Sequence, residues 1–243
     1  MPKRQGWLAR EMSLPSFKPG DIEEVGYARG YRVIAGLDEV GVGPLAGPVV
    51  AAAVVLPRGL LNPDVKDSKL LTACKREELA NWVKEKAVAW AVGVVSPEEI
   101  DRINILNATH LAMASAFAQL EPSPEYLLID GSYEIPRSFL ACESSRLGAF
   151  PYQKAIKKGD RVCLSIAAAS IVAKVMRDQL MKEYSDLYPQ YQFARHKGYA
   201  SKLHLAALQQ FGPSPIHRKS FGGVREVLPQ SSDDSRSPLF RQE

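Results

Sequence analysis

The apolar run Val33-Ile34-Ala35-Gly36-Leu37 stops on two adjacent acids, Asp38 and Glu39. A loop with little bulk follows, from Gly41 to Gly47, and then a second apolar run, PVVAAAVVLP. Two such runs around a Gly-rich turn read as an antiparallel strand pair. The pattern demands a sheet whose edge carries carboxylates beside a loop that other atoms can approach closely. As a string, Gly41-Val42-Gly43-Pro44-Leu45-Ala46 also fits the dinucleotide fingerprint G-x-G-x-x-A. That fingerprint needs a helix directly after it to receive a pyrophosphate. Here a β-branched run follows, and the two preceding acids repel phosphate. An oxidoreductase built on a nucleotide cofactor fails on this point.

Further along, TACKREELANWVKEKA is helical in period and charge pairing, and VAWAVGVV reads as a strand. Ser96, Pro97 and Glu99 form a capping box with proline at the first helical position. They open one long core helix, with Ile100, Ile103, Leu106 and Leu111 on one face. EYLLIDG is a short buried strand ending on Asp130 and Gly131. LSIAAASIVAKVMRDQLMKEY is an Ala-rich helix preceded by Gly159 and Asp160, and YASKLHLAALQQFG is a last helix ended by Gly212. The order predicts an α/β protein with a mixed central sheet flanked by helices. The main domain is expected over residues 29–227, with its C-terminal helical part from about residue 186 to 227. Residues 1–28 read as an N-terminal extension and 228–243 as a polar, disordered tail.

Charge is uneven. Residues 1–152 carry 16 Lys and Arg against 19 Asp and Glu, whereas residues 153–225 carry 13 against 4. A basic second half fits a polyanionic partner, and equally a solvated basic surface. No apolar run reaches the length of a membrane span, and the N-terminus lacks the continuous apolar core of a secretory signal. The three scattered cysteines, Cys74, Cys142 and Cys163, fit free thiols in a reducing cytoplasm.

Asp38 with Glu39, then Asp130, then Asp160 stand where strands or turns end. Carboxylates at neighbouring strand ends can converge and hold a hard divalent cation through oxygen, which suits Mg²⁺ or Mn²⁺ rather than zinc. Any single Asp-Gly pair is an ordinary turn; the combination carries the argument.

The motifs GLDEVGVGPLAGPVVAAAV, DSKLL, EIDRINIL, LLIDG, KKGD, SIAAASIVAKVMRD, HKGY and SPIHRKSF occur in that order. In this, residues 31–225 resemble bacterial ribonuclease HII. The resemblance implies an RNase H-like fold and an endonuclease that cuts the RNA strand of RNA–DNA hybrids, and ribonucleotides embedded in duplex DNA, leaving 3′-hydroxyl and 5′-phosphate ends. It makes Asp38, Glu39, Asp130 and Asp160 the four catalytic, metal-holding carboxylates. It assigns Gly41, Val42 and Gly43 to the loop that reads the ribose 2′-hydroxyl, Tyr199 to the sugar at the RNA–DNA junction, and Ser68 and Lys69 to a phosphate contact. His196, Lys197, Arg218 and Lys219 would meet backbone phosphates.

Two departures stand out. Val42 occupies a position where the family usually has arginine. The interval from Asp130 to Asp160 is also longer than the family pattern, with 138–150 as an added stretch that a surface loop absorbs at little entropic cost. A hybrid-binding protein that has lost cleavage is therefore a second reading, opposed by the persistence of all four acids. Leu239-Phe240 in the tail is a weak match to peptides that bind the sliding clamp, without their leading glutamine. Nothing marks a self-complementary surface, so a monomer is expected.

Overall fold

The computed structural model describes residues 20–65, 68, 71–143 and 150–228. Helix α1 (Asp21–Ala28) leads into β1 (Ile34–Val40) and β2 (Val49–Val55), followed by α2 (Ala73–Lys86), β3 (Ala89–Val95), α3 (Pro97–Ile103) and α4 (Ile105–Ala118). After β4 (Tyr126–Asp130) come α5 (Arg137–Glu143), β5 (Tyr152–Ile156), a 3-10 turn (Gly159–Arg161), the long α6 (Leu164–Leu187), and two shorter helices, α7 (Phe193–His196) and α8 (Lys202–Phe211). The strands form one sheet in the order β3-β2-β1-β4-β5. The β1–β2 and β2–β3 pairs are antiparallel, while β1–β4 and β4–β5 are parallel. This is the mixed, helix-flanked sheet that the element order predicts.

Strand alternation separates two cores. Leu37, Ala51, Ala53, Leu127 and Ile129 face α4, where they meet Ala112, Met113 and Phe117. On the other face, Val50, Ala52 and Val54 pack against Leu79 and Val83 of α2 and Ala168, Ile171 and Val172 of α6. The small residues of α6 let it lie almost on the sheet. At Gly36 an added Cβ would sit 2.1 Å from the carbonyl carbon of Ser165, so only glycine permits that crossing.

The single long helix expected after Ser96 is two. Asn104 has a positive φ of 66° with ψ 164°, and its side chain accepts a hydrogen bond from Asn107 N–H to cap α4. The side-chain cap offsets part of the cost of the broken ladder. Ser96 caps α3 through Glu99 N–H, as the capping pattern predicts. Residues 21–28, at the end of the expected extension, form α1, which buries Ile22 against Ile34, Tyr126 and Leu128.

Candidate active site

β1 and β4 run parallel with Leu37 level with Ile129. One step on, Asp38 and Asp130 leave neighbouring strands side by side. Because Leu37 and Ile129 face α4, Asp38 faces α6. There it is only 6% exposed, its Oδ1 accepts the Glu39 N–H at 2.7 Å, and it is hydrogen-bonded to Ser170. Burial raises the Asp38 carboxyl well above the usual carboxylate range, and the neighbouring Glu39 and Asp130 raise it further. Glu39 points to the opposite face. It lines an open hollow of about 210 Å³ with Asp130, Val42, and the Thr109, His110 and Met113 side chains of α4. Asp130, at the strand end, lies between the two faces and joins them.

Asp130 also fixes the fourth acid. Its Oδ1 accepts the Gly159 N–H at 2.7 Å, which ties the end of β4 to the 3-10 turn that carries Asp160. Asp160 is buried there, directly before α6. The 29-residue separation of Asp130 from Gly159 is thus closed by one hydrogen bond. Among the described residues, no three Asp, Glu, His or Cys side chains close on one point as a finished metal cage.

The loop beyond β1 is held by two fully buried arginines. Arg218 donates to the carbonyls of Gly41, Val42 and Gly47; Arg177 of α6 donates to those of Ala46, Pro48 and Lys197. Gly41 has φ +95°, and a Cβ there would lie 2.3 Å from Arg177 Nε and 2.7 Å from the Pro48 oxygen. Gly43 is exposed, and a Cβ on it would come within 3.9 Å of Tyr199 Cε1. Tyr199 is 46% exposed, so its ring flanks the loop on an open surface. Backbone bonds join the two segments: Leu45 N–H to Gly198 O, Gly47 N–H to Ile216 O, and Arg218 N–H to Leu45 O.

Several residues expected at phosphates have protein partners in this geometry. Arg218 is 0% exposed and spends its donors on the loop, which it shapes. Burial, with Arg177 nearby, draws its guanidinium down to about 9, which still leaves it charged at neutral pH. Both ring nitrogens of His196 are engaged, by Tyr191 O and Gly198 N–H, and burial lowers its basicity. Ser68 is turned inward, with Oγ 2.9 Å from Ser170 Oγ, so it stands behind Asp38. Lys219 is exposed, with its backbone held by Asp101; the Lys197 Nζ donates to Ala194 O. Lys69 lies outside the described residues. Reasoning from sequence missed Arg177, Ser170, His204 and His217. The first two sit within the quoted motif SIAAASIVAKVMRD, but their burial has no signature of its own.

A five-stranded mixed sheet with acids at the ends of its adjacent central strands, covered by helices on both faces, is the RNase H-like fold, whose members include nucleic-acid hydrolases. The solved ribonuclease H2 of Pyrococcus horikoshii superposes with a TM-score of 0.65 at 28% identity, over 81% of this chain and 97% of that one. RNase HII in its complex with PCNA from Archaeoglobus fulgidus gives 0.63 at 26%, over 83% and 99%. A sequence profile described as Ribonuclease HII matches residues 35–224. The ribonuclease HII of Geobacter sulfurreducens is 53% identical over 211 residues, 87% of this chain and 92% of that protein. The chain belongs to the ribonuclease HII family. It is a ribonuclease H, an endonuclease acting on the RNA strand of RNA–DNA hybrids. The reading as a hybrid-binding protein without cleavage is not favoured.

Proposed function

We propose that Asp38, Glu39, Asp130 and Asp160 hold divalent cations, Mn²⁺ or Mg²⁺, and that the loop Gly41–Gly43 with Tyr199 receives the ribonucleotide strand. The observation that carries this reading is the electrostatic coupling of buried Asp38 with Glu39 and Asp130 beside that loop. The donors are all carboxylate oxygens, which suits hard cations. A buried acid raised by two like charges is the electrostatic condition that a divalent cation relieves. When bound, such ions polarise the scissile phosphate and lower the pKa of the attacking water.

The chain's own residues do the positioning. Ser170 and the Glu39 N–H orient the Asp38 carboxylate, and the Gly159 N–H orients that of Asp130. The small residues of the loop let main-chain groups reach a ribose 2′-hydroxyl, the group that separates RNA from DNA. The exposed Tyr199 ring beside Gly43 offers a flat wall for the adjoining sugar. Lys197 and Lys219 add positive field along the phosphate path. Cleavage leaves 3′-hydroxyl and 5′-phosphate ends, both on hybrids and at ribonucleotides embedded in duplex DNA.

The experiment is a gel assay on three duplexes: all DNA, DNA with one ribonucleotide, and an RNA–DNA hybrid, each with Mg²⁺, Mn²⁺ or EDTA. Metal-dependent cuts confined to positions bearing a 2′-hydroxyl are expected. Cutting in EDTA, or on the all-DNA duplex, overturns the site assignment.

The enzyme works as a monomer in the cytoplasm in this reading. No helix among the described residues is long and apolar enough to cross a membrane. A sliding-clamp contact through Leu239 and Phe240, which lie outside the described residues, rests on that dipeptide and on the archaeal relative's complex with PCNA. A fluorescent tail peptide that shows no saturable binding to the clamp removes it.

A further inference from the structure

Three histidines lie behind Tyr199, and hydrogen-bond logic fixes the proton on each. His217 is 1% exposed and His204 is 0% exposed. The backbone N–H of Ser214 lies 2.9 Å from His217 Nδ1, and the Ser214 hydroxyl lies 2.8 Å from it. A backbone N–H can only donate, so Nδ1 accepts and a neutral His217 carries its proton on Nε2. That nitrogen is 3.0 Å from His204 Nε2, which must therefore accept. The proton of His204 then sits on Nδ1, 2.9 Å from the carbonyl oxygen of Tyr199. His196 stacks on His204 with ring centroids 4.4 Å apart, and is set separately by Gly198 N–H and Tyr191 O.

The chain of donors thus runs one way, from Ser214 through His217 and His204 to Tyr199. Its far end is tied to the glycine loop, because His217 pairs with Ala46 in an isolated antiparallel bridge. We infer that Ser214, His217 and His204 form a positioning relay that sets the backbone at Tyr199 relative to the glycine loop, and so aims the tyrosine ring at the substrate sugar. This rests on the reading of Tyr199 as a substrate contact. His204 and His217 are buried away from the open surface, and the bond from His204 to the Tyr199 carbonyl is their direct link to the tyrosine.

The two amide replacements of His204 separate its two ends. In His204→Asn the amide nitrogen falls near the place of Nδ1 and can still donate to Tyr199 O. In His204→Gln the amide falls near Nε2, keeping His217 and releasing Tyr199. Full-length variants are measured by steady-state cleavage of a single-ribonucleotide duplex, after thermal unfolding shows that each is folded. His204→Gln is expected to raise KM about fivefold with kcat little changed, the scale of one lost hydrogen bond. His204→Asn recovers most of that loss. In combination with Tyr199→Ala, His204→Gln adds nothing further, since both act through one ring.

Additive effects in the double variant overturn the relay while leaving Tyr199 as a contact. An inert Tyr199→Ala overturns both. Should His204 variants fail to fold, long-range ¹H–¹⁵N spectra of the wild-type protein decide the matter. Protons on His217 Nε2 and His204 Nδ1 support the relay, and the opposite tautomers refute it.

Discussion

Replacing Asp38 by asparagine should make the metal-free protein more stable while ending its activity. Asp38 is buried, and both carboxylates that bear on it push its own carboxyl upward. Two unit charges about 5 Å apart at an effective dielectric of about 20 repel by about 3 kcal/mol. Protonation of Asp38 already relieves part of this in the free protein, so the relief left for asparagine is about 1–2 kcal/mol. The amide oxygen can still accept from Glu39 N–H, which keeps the local geometry. In a domain of this size each kcal/mol moves Tm by about 2–4 °C, giving an expected rise of about 2–8 °C. Differential scanning calorimetry in EDTA measures that rise, and a second scan with Mn²⁺ measures the shift due to the ion. Wild type should gain stability with Mn²⁺, and Asp38→Asn should gain little, with cleavage nearly abolished. A fall in Tm in EDTA refutes the repulsion, and a Mn²⁺ shift equal to wild type refutes the metal assignment. The pH dependence has the same sign. With its folded pKa raised, Asp38 contributes stability at low pH that is lost as pH rises through that value.

Three further outcomes follow from the loop and its supports. Gly41→Ala places a methyl against Arg177 and the Pro48 carbonyl at positive φ, and should cost about 3 kcal/mol in urea unfolding, with cleavage reduced at least tenfold; a loss under 1 kcal/mol would show that the loop yields. His217 is drawn from 6.5 to about 4 chiefly by burial, so the unfolded chain takes up a proton that the fold refuses. Stability present above pH 6.5 should therefore fall by about 3 kcal/mol between about pH 6.5 and 4, a slope that His217→Gln flattens; an unchanged slope means that His217 is not its source. Val42→Arg should tighten hybrid binding at low salt and steepen the salt dependence by about one ion. An unchanged slope would mean that the new side chain turns to Glu39 and Asp130, which share the hollow with Val42.

Much of the sheet was legible because its signals are local. β1, β2 and β4 are apolar runs bounded by acids, glycine or proline, and the acids sit where β1 and β4 end. The break at Asn104 was hidden, since hydrophobic spacing continues through it and only a positive φ reveals it. β5, with the sequence YQKAI, is an edge strand whose first four residues are only partly buried, so it lacks the apolar run that marks its neighbours. The direction of a charged side chain is set by tertiary packing, and there local reasoning failed. Arg218 reads like its exposed neighbour Lys219, yet one is sealed inside and the other faces water. Ser68 likewise reads as a loop hydroxyl and is buried against α6.

The buried Arg218 has a consequence for how the molecule comes into being. During synthesis the acids at 38 and 39 emerge early, but the residue that pins the adjoining loop is made almost 180 positions later. A ribosome-bound or prematurely ended chain can carry its acids and much of its sheet while the loop beside them hangs unset. Setting of that loop thus waits for Arg218, as a single late closure. A loop fixed from so far along the chain ties the front of the site to the back of the fold.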